Sequence, residues 1–118
     1  MRIFGKILRE KRRESGLSQR SLAKRVGVDF SYISKLENDR TPPPAAETII
    51  KISAVLGCAS EELLAAAKKI PSDVGGSLAA KPSAQRFLQE AFRLNLSPDE
   101  WDKMIGDLRK LRSDAEGQ

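Results

Sequence analysis

The sequence predicts an all-α fold. Hydrophobic residues make up 40% of the 118 residues and aromatic residues only 5%, and a composition dominated by aliphatic side chains favours interiors packed between helices. Apolar residues recur at helical spacing in several segments, with glycine, serine or proline between them. A chain of this length is sufficient for one small domain with an appendage.

Positive charge is concentrated at the start of the chain. The formal net charge is +5, and residues 1–40 contain eleven Lys or Arg against five Asp or Glu. Residues 41–70 contain three of each sign, and residues 71–118 contain seven basic and eight acidic residues. A polyanion is a natural partner for such an N-terminal region. A solvated basic face without function would have the same composition, so charge alone does not decide the partner.

The first helix is predicted over about Ile3–Glu14. Its apolar positions fall on one stripe, formed by Ile3, Phe4, Ile7 and Leu8. Gly16 is predicted to end the helix, because glycine adopts the left-handed conformation that often follows a helix.

Two short helices are predicted next, separated by Gly27. Ser18 is the expected N-cap of the second helix and Asp29 that of the third. The third helix has Ile33 and Leu36 on its inward side. Its outward positions, which are the candidate reading surface, are Phe30, Ser31, Ser34 and Lys35.

Two further helices follow the proline triplet. Pro44 is expected to open a fourth helix of roughly Ala45–Leu56, because proline is tolerated at the first helical position. Its core candidates are Ile49, Ile50, Ile52, Val55 and Leu56. Gly57 is expected to end it, and a fifth helix is predicted from Ser60, with two glutamates near its positive end.

Residues 71–82 are predicted to be a linker with at most one weak turn of helix, because serine, glycine, alanine and proline dominate them. We therefore assign residues 1–70 to one domain and residues 83–118 to a helical tail. Ser97 and Glu100 have the spacing of a capping box, with Pro98 at the first helical position of the last helix.

The tail is predicted to be a helical hairpin that forms dimer contacts. Apolar residues recur three or four positions apart in the last helix, and such a stripe is unfavourable on a lone helix exposed to water. The candidate contact residues are Phe87, Phe92, Trp101, Met104, Ile105, Leu108 and Leu111. The fifth helix remains an alternative source of the dimer interface.

The segment Leu17–Asn38 has the pattern of a helix-turn-helix. Two short helices that cross steeply need a glycine or a similar residue between them and small or apolar residues where they touch. Five residues meet that demand: Leu22, Ala23, Gly27, Ile33 and Leu36. A larger side chain at Ala23 would displace the second helix of the motif.

The stretch LSQRSLAKRVGVDFSYISKLENDRT resembles the DNA-binding domain of the lambda-repressor-like, or XRE, family of phage and bacterial regulators. The resemblance covers about residues 3–67. It implies a five-helix domain that binds an operator as a dimer, with the third helix in the major groove of double-stranded DNA.

The resemblance also implies roles for individual residues. By their position in the family motif, Gln19 contacts a phosphate, Phe30, Ser31 and Lys35 face base edges, and Asn38 contacts the DNA backbone. The resemblance further implies that Arg12 pairs with Glu37 and is thereby oriented toward phosphate.

Physical chemistry adds detail to these roles. Lys35 can donate to the O6 and N7 acceptors of guanine. Phe30 either contacts a thymine methyl or staples the third helix to the domain. Ser31 and Ser34 reach bases or phosphates, and Tyr32 donates its hydroxyl to phosphate or stays at the domain edge. The flanking cations provide nonspecific attraction to phosphate, and they are Arg20, Lys24, Arg25 and Arg40.

The sequence argues against an enzyme. It contains no histidine and one cysteine, Cys58, which removes His-dependent nucleophiles, the usual general base and thiolate metal clusters. The glycine pair at residues 75–76 lacks the Lys and Ser/Thr of a phosphate-binding loop. We expect no cofactor and no metal, and the single cysteine and the lack of an N-terminal hydrophobic region predict a cytoplasmic protein without a membrane partner.

Several biological roles remain open at this level. A protein-interaction module is an alternative to DNA binding. Among regulators, the chain fits a stand-alone repressor, an antitoxin that regulates its own operon, or a controller of a restriction system. The tail also resembles those of XRE regulators encoded beside a zinc metallopeptidase, and this resemblance implies a regulatory protein partner as a further alternative.

Overall fold

The computed structural model describes residues 3–116, and side chains as far as Ser113. All secondary structure in this range is helical, which confirms the all-α prediction. The helices are α1 (Phe4–Glu14), α2 (Gln19–Val26), α3 (Phe30–Glu37), α4 (Ala46–Leu56), α5 (Glu61–Ala67), α6 (Ser72–Ala79), α7 (Pro82–Arg93) and α8 (Pro98–Glu116). None of these helices is long and apolar enough to cross a lipid bilayer.

The chain forms two compact units, one ending at Gly76 and the other beginning at Ser77. In the first unit, side chains from all five helices α1 to α5 form one hydrophobic core. Its fully buried apolar side chains are Leu8, Leu22, Ile33, Leu36, Ile49, Ile52 and Leu63. Because α1 and α2 both pack against α3, and α4 and α5 pack behind them, the core fixes the position of α3.

Two of the predicted core residues are exposed. Ile50 is 39% exposed on α4, and Ile3 is 48% exposed at the N-cap of α1. The buried side of α4 carries Ile49 and Ile52, and a residue next to Ile49 on a helix points about 100° away from it. Periodicity alone did not show on which side of Ile49 the core ends.

The capping predictions have mixed outcomes. Ser18 caps α2 as predicted, since its Oγ accepts a hydrogen bond from the Ser21 backbone N–H at 3.0 Å. Asp29 occupies the predicted N-cap position of α3, but its side chain makes no capping hydrogen bond. Ser60 likewise precedes α5 without a side-chain cap.

The start of α4 lies later than predicted. Ala45 is the N-cap and Ala46 the first helical residue, so Pro44 precedes the helix instead of opening it. The ring of Pro44 is buried. The proline triplet therefore belongs to the non-helical segment that leads into α4.

Residues 71–82 contain more structure than the predicted linker with one weak turn. Helix α6 occupies Ser72–Ala79, which is two turns. The Ser72 hydroxyl donates to the Glu47 carboxylate on α4, and the Gly75 N–H donates to the Pro71 carbonyl at 2.9 Å. These two hydrogen bonds stabilise a helix in a segment whose composition is unfavourable for helix formation.

In the second unit, α8 begins with the predicted capping box. The Ser97 N–H donates to Glu100 Oε1 at 2.9 Å, and the Glu100 N–H donates to Ser97 Oγ at 3.2 Å. The rings of Phe92 and Trp101 lie 6.0 Å apart between centroids. This aromatic contact joins α7 to α8, so the two helices form a hairpin.

Candidate nucleic-acid interface

Helices α2 and α3 form the predicted helix-turn-helix. Gly27 has a φ of 87°, which is the left-handed conformation that glycine adopts without steric cost. Its N–H closes α2 by donating to the Ala23 carbonyl at 2.8 Å. Ala23, Ile33 and Leu36 are buried where the helices pack. The turn and the small Ala23 side chain thus set the path of α3.

The outer side of α3 presents the predicted reading surface. Phe30, Ser31 and Lys35 are exposed, and Ser34 is half-buried. Tyr32 is also half-buried and packs against the core, and this burial raises the pKa of its phenol. The position of Tyr32 agrees with the domain-edge alternative for its ring.

Glu37, the last residue of α3, is the centre of a buried polar network. Its carboxylate accepts hydrogen bonds from Arg12 Nε at 2.6 Å, Arg12 Nη2 at 3.0 Å, Gln19 Nε2 at 3.1 Å and Arg9 Nε at 3.3 Å. Arg9 and Arg12 belong to α1 and Gln19 to α2. One carboxylate therefore connects three helices, and the pairing of Arg12 with Glu37 is confirmed.

The network holds Glu37 in its charged form. Burial of the carboxyl group by itself raises its pKa, but the hydrogen bonds from Arg12 and Gln19 and the positive charge of Arg12 outweigh it, so the pKa of Glu37 is below its usual value. The same contact raises the pKa of Arg12. A charged Glu37 is thus part of the folded state.

Arg9 was not among the predicted site residues. Its Nη2 donates to Asn38 Oδ1 at 2.9 Å and to the Glu37 carbonyl at 3.3 Å. Asn38 in turn donates from Nδ2 to the Ser34 carbonyl at 2.9 Å. Arg9 precedes Arg12 by three residues and so shares its face of α1, which is the sequence signal that could have identified it.

A second missed feature is the close approach of α1 to the end of α3 at Gly5. The Gly5 N–H donates to Asp39 Oδ1 at 3.2 Å. A Cβ atom on Gly5 would lie 2.5 Å from the Glu37 carbonyl oxygen and 2.6 Å from that of Leu36. Only glycine fits at this point. The sequence signal is a glycine inside an otherwise amphipathic helix.

The predicted phosphate-contacting residues differ in how far they are exposed. Arg20, Lys24, Arg25 and Arg40 are exposed. Arg12 is largely enclosed, because it also donates from Nη1 to the Leu17 carbonyl at 2.9 Å. Gln19 is half-buried and Asn38 is exposed, and each makes an internal hydrogen bond.

Comparison with known proteins agrees with this geometry. Residues 8–63 match a family model described as helix-turn-helix. The chain is 43% identical over 70 residues to the uncharacterized HTH-type transcriptional regulator RghRB of Bacillus subtilis, covering 59% of this chain and 50% of that protein. It is 34% identical over 62 residues to the HTH-type transcriptional regulator SinR of Bacillus subtilis, covering 52% of this chain and 56% of SinR.

Solved structures give the same result. The N-terminal DNA-binding domain of SinR from Bacillus subtilis is 33% identical, with a TM-score of 0.50, over 54% of this chain and 93% of that one. The chain belongs to the XRE-type helix-turn-helix family of transcription regulators. A SinR–SinI complex matches over 94% of this chain at 24% identity and a TM-score of 0.50, which shows likeness of fold alone.

Family membership confirms the resemblance inferred from Leu17–Asn38. The chain spans about half the length of the curated relatives it matches. The XRE family and these relatives are transcription regulators and not enzymes.

Proposed function

We propose that this XRE-family chain binds double-stranded DNA sequence-specifically and regulates transcription, with α3 in the major groove. The observation that carries the proposal is the exposed polar face of α3. The Glu37 carboxylate fixes the end of this helix to α1 and α2. A recognition helix must present side chains to base edges while its backbone stays fixed. The proposal places the protein with the chromosome, in the cytoplasm.

Lys35 is the main proposed base reader. It is exposed on the last turn of α3, and an ammonium group at this position can donate to guanine O6 and N7. Ser31 lies one turn earlier on the same face and can donate to or accept from a base. Ser34 is half-buried, so we assign it to the edge of the contact.

Gln19 and Asn38 are the proposed phosphate clamps. Each side-chain amide nitrogen carries two N–H groups, and each donates one internal hydrogen bond, to Glu37 and to the Ser34 carbonyl respectively. The second N–H of each amide can donate to phosphate. Arg40 and Tyr32 are further candidates at the flanks, and Arg12 acts as a positioning residue for Glu37.

We further propose that the protein is a dimeric repressor of a palindromic operator, with the second unit as the dimer contact. Phe87, Phe92, Ile105, Leu108 and Leu111 are exposed there, and Trp101 and Met104 are half-buried. A second copy of the chain can cover such a surface symmetrically. The same surface favours one other candidate, a regulatory protein partner such as a toxin or a metallopeptidase.

The proposal is tested by titrating the purified chain against fluorescent duplexes from the region upstream of its own gene. We expect one duplex to bind at least about a thousandfold more tightly than a shuffled duplex of equal length. Affinity should fall steeply as salt rises, because phosphate contacts release counterions. Equal affinity for all duplexes would overturn sequence-specific binding.

A further inference from the structure

Phe30 is a large apolar side chain in the middle of a polar surface. It is the first residue of α3, the residue is 40% exposed, and it is not among the side chains that form the hydrophobic core. The ring contacts a cation, since the guanidinium carbon of Arg20 on α2 lies 4.4 Å from the ring centroid. The two side chains form a unit across the helix-turn-helix.

A hydrophobic staple does not explain Phe30. A hydrophobic staple joins the residue before the N-cap to the fourth residue of a helix. With Asp29 as the N-cap of α3, those positions are Val28 and Ile33. Val28 packs against the core and Ile33 is fully buried. The staple positions are thus already occupied by apolar residues, and Phe30 is available for another role.

The cation–π contact restricts both partners. A guanidinium over an aromatic face is held by the ring quadrupole even at an exposed site. The ring therefore has a preferred orientation, and Arg20 is held next to it. This pair presents an apolar surface and a positive charge side by side.

DNA offers one chemical pattern that matches such a pair. The C5 methyl group of thymine is the apolar group that a base displays in the major groove, and phosphates line the groove on either side. Building on the proposed function, we propose that Phe30 and Arg20 together read a thymine methyl. The ring packs on the methyl group, while the guanidinium stays on the ring and donates to a flanking phosphate.

The test uses a duplex that the full-length chain has enriched from a randomised library. Each thymine is replaced singly by deoxyuridine, which removes only the methyl group, and affinity is measured by fluorescence anisotropy. We expect one thymine, with its symmetry mate if the site is palindromic, to show about fourfold weaker binding, the value for one buried methyl-sized group. At that position 5-methylcytosine should bind more tightly than cytosine.

Variants assign the effect to the pair. Phe30→Ala should bind the thymine and deoxyuridine duplexes equally, and Phe30→Leu should keep part of the difference. Arg20→Ala should reduce the difference and also lower the slope of affinity against salt by about one counterion. Lys103→Ala, which removes an exposed positive charge on α8, is the control and should keep the full difference.

The outcomes separate this inference from the proposed function. If the chain enriches no sequence at all, sequence-specific DNA binding fails. If it enriches a sequence but deoxyuridine has no effect, or Phe30→Ala keeps the full penalty, methyl reading by Phe30 fails alone. An unchanged penalty in Arg20→Ala overturns the coupling of the two residues. Thermal unfolding of Phe30→Ala should show only a small loss of stability, since Phe30 lies outside the core and its cation–π contact with Arg20 is at an exposed site.

Discussion

The Arg12 guanidinium on α1 and the Glu37 carboxylate at the end of α3 lie 2.6 Å apart, although 25 positions separate them in the chain. The Glu37 side chain is completely buried and that of Arg12 is 11% exposed. Removing one partner of a buried ion pair leaves the other charge without compensation. The position of α3 therefore depends on this pair.

Glu37→Gln is expected to lower the free energy of unfolding by about 3 kcal/mol, because Arg12 and Arg9 lose their shared counter-charge. Urea denaturation at neutral pH measures the change. The control is Glu62→Gln, which removes an exposed carboxylate paired with Lys11 and should leave stability nearly unchanged. Equal effects of the two variants would contradict a structural role for the Glu37 charge.

Stability should also depend on pH through Glu37. Its pKa in the folded protein is below its usual value, so the unfolded chain binds the proton more readily. The contribution is complete above the unfolded pKa of about 4.3, declines as pH falls from there through the folded pKa, and is absent below it. Urea midpoints across this acidic range should fall more steeply for the wild type than for Glu37→Gln. Parallel profiles would show that another group controls the acid transition.

Gly5→Ala is expected to destabilise the first unit despite the higher helix propensity of alanine. The new Cβ would lie 2.5 Å from the Glu37 carbonyl oxygen, and separating α1 from α3 should cost about 2 kcal/mol. Gly76→Ala is the matched control, since no atom lies within 4 Å of its added Cβ, and it should be neutral or stabilising by up to about 1 kcal/mol. Thermal unfolding in which Gly5→Ala is the more stable variant would contradict the close approach.

The helix-turn-helix was predictable because its signals are local. Ala23, Gly27 and Leu36 are fixed by the spacing of two helices and one turn, which lie within about twenty residues. Arg12 was predicted through the family resemblance, which does not name Arg9. The partner of Arg9, Glu37, is 28 positions away, so only the face of α1 that Arg9 shares with Arg12 indicates its role. Helix α6 was missed because its support comes from outside its own sequence, through Glu47.

Lys35→Ala should lose discrimination at one base-pair position of the operator, at a cost of about 1–3 kcal/mol, because a base-edge contact disappears. Arg25→Ala removes an exposed cation beside the motif and should weaken binding to all sequences alike. Lys103→Ala, on α8, is the control for loss of one positive charge. Affinities for the operator and for every single-base variant provide the measurement. An equal loss on operator and random DNA for Lys35→Ala would remove Lys35 from base reading.

Leu108→Glu in the full-length chain is expected to convert a dimer into a monomer. Leu108 is 54% exposed on α8, so the substitution should not unfold the hairpin, but it would place a charge in an apolar interface between two copies. Lys110→Glu creates the same side chain two residues away, at an exposed position, and should stay dimeric. Light scattering at micromolar concentration reports the mass.

A chain truncated after Ala80 that remains dimeric would move the interface to the first unit, where α5 is the alternative. If Leu108→Glu is monomeric, its operator affinity should also fall, because two half-sites no longer bind together.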